Sequence, residues 1–287
     1  MKHLFLFIML ALNLFSVKAQ QQVFSCSQEK ATATDTSRYK VTYRLDYTCH
    51  SKADKRFDDV RTLLIGRHSA KDFSDIIFHY DSLMTEDMRR GAESFYNPKG
   101  FPWPYEILVS PKEKTADMKY RLPDGMDNLH YSEPIEDMQW VFHADTARTV
   151  LGYECQLATC DFADRHYSAW FAPEIPLPFG PYKFGGLPGL ILQIQDDEKQ
   201  FVWEAIGFEK SDAPILVYGY ENEKNCTPAE AAKTIARCFN TPLAFKLAAF
   251  GGGKGRIMIV GKDGKTRDAT EVEDIPIPYE PIEKLSE

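Results

Sequence analysis

Residues 39–49 read Y-K-V-T-Y-R-L-D-Y-T-C. Tyr39, Val41, Tyr43, Leu45 and Tyr47 alternate with Lys40, Thr42, Arg44 and Asp46. A period of two puts the apolar set on one face of an extended strand and the polar set on the other, a spacing that no helix can use. A half-buried strand of this kind needs neighbours, so the run commits the chain to a sheet with one covered face. Comparable runs recur. Residues 60–65, 105–109, 118–122, 138–143, 148–161, 166–171, 190–195, 201–209 and 215–220 all read as strands, and 105–122 as a hairpin. Pro123-Asp124-Gly125 and the run 196–199, D-D-E-K, are turns between them. Residues 76–88 are ambiguous: Ile76, Ile77 and Phe78 favour strand, while T-E-D-M-R-R favours a helix ending at Gly91.

The clearest helix begins at Thr227. Thr227 is a cap, Pro228 the first helical residue and Glu230 the third, which makes a capping box. Pro242 restarts a short helix that Gly251-Gly252-Gly253 stops. A last strand follows at 256–260, and then a tail spaced by Pro276, Pro278 and Pro281. About ten strands stand against two or three helices, and no strand alternates with a helix in the βαβ manner. The expected fold is mainly β (α+β): a large curved antiparallel sheet or half-barrel with two or three helices packed on one side.

The first 19 residues, M-K-H-L-F-L-F-I-M-L-A-L-N-L-F-S-V-K-A, have a basic start, an apolar stretch from Leu4 to Val17 and a small residue, Ala19, at the end. That is the pattern of a cleaved secretion signal. The apolar run is shorter than the ~20 residues that span a bilayer, and no later segment is long enough. The expected organisation is therefore a signal at 1–19 and one β-rich domain at 20–287, exported to the periplasm, attached to the outer membrane or secreted. The formal charge is −8, and loss of Lys2 and Lys18 with the signal makes it more negative. An acidic chain with scattered cations is a poor binder of nucleic acid.

All six cysteines fall after residue 19, at 26, 49, 155, 160, 226 and 238. In an exported chain an even count suggests disulfides. Cys155 and Cys160 share a strand, about 16 Å apart, and Cys226 and Cys238 flank a helix, so neither pair is within reach. A Cys26–Cys49 bond is the pairing expected. No C-x-x-C and no finger-like Cys and His spacing is present.

The densest apolar stretch, 167–194, is Y-S-A-W-F-A-P-E-I-P-L-P-F-G-P-Y-K-F-G-G-L-P-G-L-I-L-Q-I. Gly186-Leu187-Pro188-Gly189 should make a tight turn, with Pro188 fixing φ and Gly189 free to take a positive φ. Leu190, Leu192 and Ile194 then face one way, and Ile191 and Gln193 the other. The segment reads either as a turn feeding a core strand or as a stiff apolar lip. As a lip, its ligand or partner rim would be Trp170, Phe179, Tyr182, Phe184, Leu187 and Pro188. Trp103, Trp140, Trp170 and Trp203 read first as core and second as cavity lining.

Gly186 to Ile191, G-L-P-G-L-I, resembles the signature of the GLPGLI family of exported proteins from Gram-negative bacteria. Gly152-Tyr153, Cys155-Gln156, Ala158, Ala169-Trp170-Phe171, Glu174-Ile175-Pro176 and Gly180-Pro181-Tyr182 support it. Pro281-Ile282-Glu283 is similar to the family's C-terminal end. The resemblance implies export and a single β-rich domain; it does not imply a reaction.

Catalytic motifs are absent. There is no H-E-x-x-H and no G-x-S-x-G, and the run 251–256, G-G-G-K-G-R, does not match a phosphate loop. Asp161, Asp164 and His166 could hold a metal but read better as a solvated hairpin turn, and His79 with Asp81 stands likewise. A carboxylate pair for glycoside hydrolysis is invisible in sequence spacing. The sequence asks for no cofactor and no resident metal. Three functions remain, in order. First is an envelope protein without catalysis that binds an apolar ligand, a peptide or an outer-membrane protein. Second is a secreted or periplasmic hydrolase. Third is metal handling alongside an outer-membrane transporter.

Overall fold

The computed structural model describes residues 23–50, 52, 53, 55–92, 96, 98–123, 127–220, 222–250, 258–260 and 265–283. The expected signal at 1–19, the run 251–256, and Asp124 and Gly125 of the Pro123 turn lie outside the described residues. In chain order the elements are β1 (Gln28–Thr36), β2 (Tyr39–Tyr47), β3 (Phe57–Ile65), β4 (Ala70–Ser74), α1 (Asp75–Arg89), β5 (Tyr105–Ser110), β6 (Thr115–Arg121) and β7 (Asn128–Pro134). They continue as β8 (Val141–Val150), β9 (Tyr153–Phe162), β10 (Arg165–Ala172), β11 (Leu190–Asp196), β12 (Phe201–Lys210), β13 (Pro214–Tyr220) and β14 (Glu223–Asn225). Last come α2 (Pro228–Asn240), α3 (Pro242–Phe250), β15 (Met258–Val260) and β16 (Thr266–Asp268). Among the described residues the chain divides into two compact units, 23–231 with 280–283, and 232–279.

The larger unit carries an open twelve-stranded sheet in the order β14-β7-β6-β5-β4-β3-β2-β12-β11-β10-β9-β8. All its pairings are antiparallel except β14 on β7. The mainly β, α+β architecture is thus as expected, with the parallel pair making the sheet mixed. The alternation in β2 sets its faces: Val41, Tyr43, Leu45 and Tyr47 are buried, and Arg44 is exposed.

That inner face is covered by the proline- and glycine-rich segment between β10 and β11. Tyr43 Oη donates to the Ile191 carbonyl at 2.6 Å. Trp103, Trp203, Tyr182, Phe184 and Tyr167 form a continuous aromatic cluster, with Trp103 against Trp203 at 5.8 Å and Phe184 against Tyr167 at 4.7 Å. The opposite face of β4–β7 carries α1 and a separate ribbon of β1 paired with β13. Lys71 and Lys119 reach from the sheet to the Leu216 and Tyr218 carbonyls of the ribbon, each at 2.6 Å.

The ambiguous run 76–88 is helix. Ser74 caps it, accepting from the Ile77 N–H at 3.2 Å, and Ile77, Asp81, Met84 and Thr85 point inward at helical spacing. Residues 148–161 are two strands. Leu151 (φ 51°) and Gly152 (φ 83°) make a two-residue turn between β8 and β9. The capping box forms as expected: Thr227 N–H donates to Glu230 Oε2 at 2.8 Å and Glu230 N–H to Thr227 Oγ1 at 3.2 Å.

In the smaller unit, Asp274 accepts from the Leu243 and Ala244 N–H groups at the start of α3, at 2.9 and 2.8 Å. Phe239 stacks on Tyr279, with ring centroids 4.0 Å apart.

The expected Cys26–Cys49 disulfide is not formed; all six cysteines are free thiols. Cys26 lies against Asn128 at the start of β7, and Cys49 follows β2. Five strand spacings separate β7 from β2, about 24 Å across the sheet against a reach of about 6 Å.

Candidate functional site

The turn chemistry at G-L-P-G differs from expectation. The positive φ falls on Gly186 (83°) and, upstream, on Tyr182 (58°). Gly189 is needed for space: a Cβ there would lie 2.2 Å from the Ala172 carbonyl oxygen. The loop therefore presses against the end of β10.

Of the six expected rim residues, Tyr182, Phe184 and Leu187 are buried, because the segment folds inward over the sheet. Phe179 and Trp170 are half-buried and Pro188 is exposed. Trp170 lies on the outer side beneath Arg148, 5.0 Å from its guanidinium carbon.

Two buried charge networks hold this arrangement. In the first, Arg61 is fully enclosed. Its Nε donates to Asp72 at 2.7 Å, one terminal nitrogen to Asp59 at 3.2 Å and the Trp103 carbonyl at 3.2 Å, and the other to the Tyr105 carbonyl at 2.8 Å. Asp72 also accepts the Tyr182 N–H, and Asp59 accepts Ser74 Oγ. Burial pushes the Asp59 carboxyl up to about 6 against the pull of Arg61. Here the sequence shows only an ordinary charged strand, F-D-D-V-R.

The second network lines a small cleft beneath α1, about 370 Å³ of space partly open to solvent. Arg121 grips Asp81 through two bonds of 2.6 and 2.7 Å, and the Cys26 N–H adds a third at 2.8 Å. Glu106 receives Lys71 at 2.9 Å and Tyr220 Oη at 3.1 Å. Lys119 binds Glu223 at 2.5 Å. Burial raises the Asp81 carboxyl despite Arg121. Burial also opposes ionisation of Glu106, but Lys71 and Lys119 bring it below its ordinary value. Two carboxylates do share a cleft, as a glycoside hydrolase would need, yet each is held by cations or a phenol. The network reads as a neutralised interior seam between the sheet, α1 and the ribbon.

The other sequence candidates separate. His79 is exposed on α1 while Asp81 turns inward. Ala163 (φ 50°) and Asp164 (φ 57°) form the β9–β10 turn, and His166 meets Asp161 at 2.7 Å on the surface. This is the solvated hairpin. Among the described residues no group of three or more His, Cys, Asp or Glu is placed to hold a metal ion, and no helix is long and apolar enough to cross a membrane.

What remains open is an edge. β8 is the last strand of the sheet, and among the described residues nothing pairs with its outer side. Val141 and Phe142 at its start are 59% and 55% exposed, and Phe142 meets the buried Phe171 edge-on at 5.9 Å. Just before them, Trp140 Nε1 donates to the Gly185 carbonyl at 2.9 Å, fastening this edge to the glycine-rich loop. Residues 144–146 bulge out of the ladder, so the flat part of the edge is Val141, Phe142 and His143. Sequence reasoning placed a strand at 138–143, but only the strand order identifies it as an edge.

A family model described as "Protein of unknown function (Porph_ging)" matches residues 161–193, which span the β9–β10 turn, β10 and the loop into β11. No curated protein matches the chain. Among solved structures it is similar to PNGF-II in two crystal forms. They are 13% and 12% identical, with TM-scores of 0.45 and 0.42, and each alignment covers 69% of this chain. The aligned part spans about a third (32%) of PNGF-II.

Proposed function

We propose that this chain is a binding protein of the bacterial cell envelope that takes up an extended segment of a partner polypeptide along the outer edge of β8. The observation that carries this is the edge itself. An unpaired strand offers its N–H and C=O groups to an added strand; charge, proline or a bulge usually blunts an edge that is not so used, and here the bulge at 144–146 confines the open part to Val141, Phe142 and His143. Here its flat part carries Val141 and Phe142 in the open. Main-chain pairing would supply affinity, and Val141 and Phe142 selectivity for apolar side chains. The leader-like first 19 residues and the resemblance of G-L-P-G-L-I to the GLPGLI signature support this location.

Selection from a displayed library of random twelve-residue peptides tests the reading. The intact chain should enrich peptides of alternating apolar pattern. Those peptides should bind a Val141→Lys/Phe142→Lys variant at least about tenfold more weakly and slow amide exchange in β8. Equal binding to both chains, or an absence of enrichment, would reject the proposal.

A further inference from the structure

Residues 280–283, E-P-I-E, lie in a groove of the larger unit, and every main-chain carbonyl from 280 to 282 is received by a side chain far away in sequence. Gln200 Nε2 donates to the Glu280 carbonyl at 3.1 Å. Arg165 donates to the Pro281 carbonyl at 2.8 Å and, through Nε, to the Ile282 carbonyl at 3.1 Å. The Glu280 N–H donates to the Cys49 carbonyl at 2.7 Å. Ile282 is buried. Glu283 accepts Tyr182 Oη at 2.6 Å and pairs with Lys183.

The receiving residues are built for this task. Arg165 and Lys183 are buried side chains, 3% and 5% exposed, and each is steadied by a carboxylate outside the segment. Asp196 meets Arg165 at 3.1 Å, and Glu133 meets Lys183 at 2.7 Å. With the segment gone, both cations would keep one carboxylate partner each and have N–H groups left to receive it again. One guanidinium reading two successive carbonyls, an apolar pocket, and a lysine–tyrosine pair reading a carboxylate together make a linear-motif site.

We propose that this groove is a recognition site for the segment Pro-Ile-Glu, filled in cis by residues 281–283 and able to take the same segment from a second copy of this chain. The partner is a second copy because the groove is shaped around a sequence the chain itself carries, and exchange of an identical element between copies needs no new contact. The chain also leaves the larger unit at Ala231 and returns to it at Glu280, so the segment is the re-entry point of a separate compact unit.

The probe is a fluorescent peptide, Tyr-Glu-Pro-Ile-Glu-Lys. The chain ended at Tyr279 should bind it saturably, and the intact chain at least about tenfold more weakly, since a tethered segment competes at an effective concentration near millimolar. Replacing Ile by Ala or Glu by Gln in the peptide should weaken binding about tenfold or more. Folded, shortened chain that binds no peptide, or binds substituted peptides equally, overturns the proposal. If the shortened chain fails to fold, the full-length Ile282→Ala/Glu283→Gln variant replaces it. That variant should bind the peptide about tenfold better than the intact chain, and equal binding overturns the proposal.

Discussion

Asp72 accepts the backbone N–H of Tyr182 through Oδ2 at 2.6 Å, although 110 residues separate them. Its other oxygen holds Arg61, which is enclosed among Asp59 and the Trp103 and Tyr105 carbonyls. The bond pins the glycine-rich cover to β4 at a residue with positive φ. Asp72→Ala leaves a buried guanidinium short of one carboxylate and an amide without an acceptor. Urea unfolding should show a loss of about 3–5 kcal/mol. A loss below about 1 kcal/mol would mean that the cover is held by its aromatic packing alone.

His130 predicts a pH dependence. Its Nε2 bonds Asp117 at 2.8 Å, while Nδ1 lies 2.8 Å from Glu223 at an angle outside hydrogen-bond geometry, a close charge contact. The Asp117 bond raises its pKa above 6.5, against burial and Lys119, with Glu223 adding to the rise. A raised folded-state value stabilises fully below the unfolded value and is lost as pH rises through the folded one. Melting temperature measured from about pH 6 to 9 should fall across that window and the fall should be smaller in His130→Gln. Parallel curves would remove His130 from the linkage.

Leu151 sits at φ 51° in a two-residue turn and is exposed. A leucine there is strained by about 1–2 kcal/mol, whereas Asn-Gly suits such a turn. Leu151→Asn should stabilise by about 1 kcal/mol and raise the melting temperature by roughly 2–4 °C. An unchanged or lowered melting temperature would contradict the turn geometry.

The two glycines of G-L-P-G should respond differently. Gly189→Ala forces a methyl onto the Ala172 carbonyl, an overpacking loss of about 1–3 kcal/mol or more. Gly186→Ala meets only Trp140 Nε1, at an ordinary contact distance of 4.0 Å, and loses the conformational term, about 1 kcal/mol. Chemical denaturation of both variants gives the ranking, and the reverse order would refute the steric reading of Gly189.

Six free thiols predict six alkyl adducts when the protein is denatured without reductant, read by intact mass. In the native state Cys49 and Cys160 should react slowly, since burial pushes each thiol up to about 12. Fewer than six adducts would show that a bond forms.

Alternation made most of the sheet legible, because a half-buried strand writes its two faces into successive residues, as β2 does. It failed where the second face is also closed. β4 reads A-K-D-F-S, yet Lys71 and Asp72 are both buried, one toward the ribbon and one toward Arg61. Pattern reading sends such charges to water, and only the partners on other strands make their burial tolerable. β1 was missed for the opposite reason: it is exposed along nearly its whole length and paired with β13 alone, so it has little apolar pattern to show. Leu151 hid the β8–β9 turn by occupying a position that glycine or asparagine normally announces. At the candidate site, Val141 and Phe142 were visible as strand residues, but their exposure follows from strand order, which is settled by pairings far apart in sequence.

The two ends of the sheet are unlike. At one end β14 has three residues, its Glu223 held by Lys119 and His130; at the other, β8 has ten. A sheet with two equivalent long rims can template its own copy at each and grow into a fibre. With one short rim, a union through β8 uses up the long rim of this sheet: a guest peptide terminates it, and two copies facing through β8 close on themselves. For the twelve-stranded sheet the asymmetry would act as a chain terminator, limiting assembly through its rims to pairs.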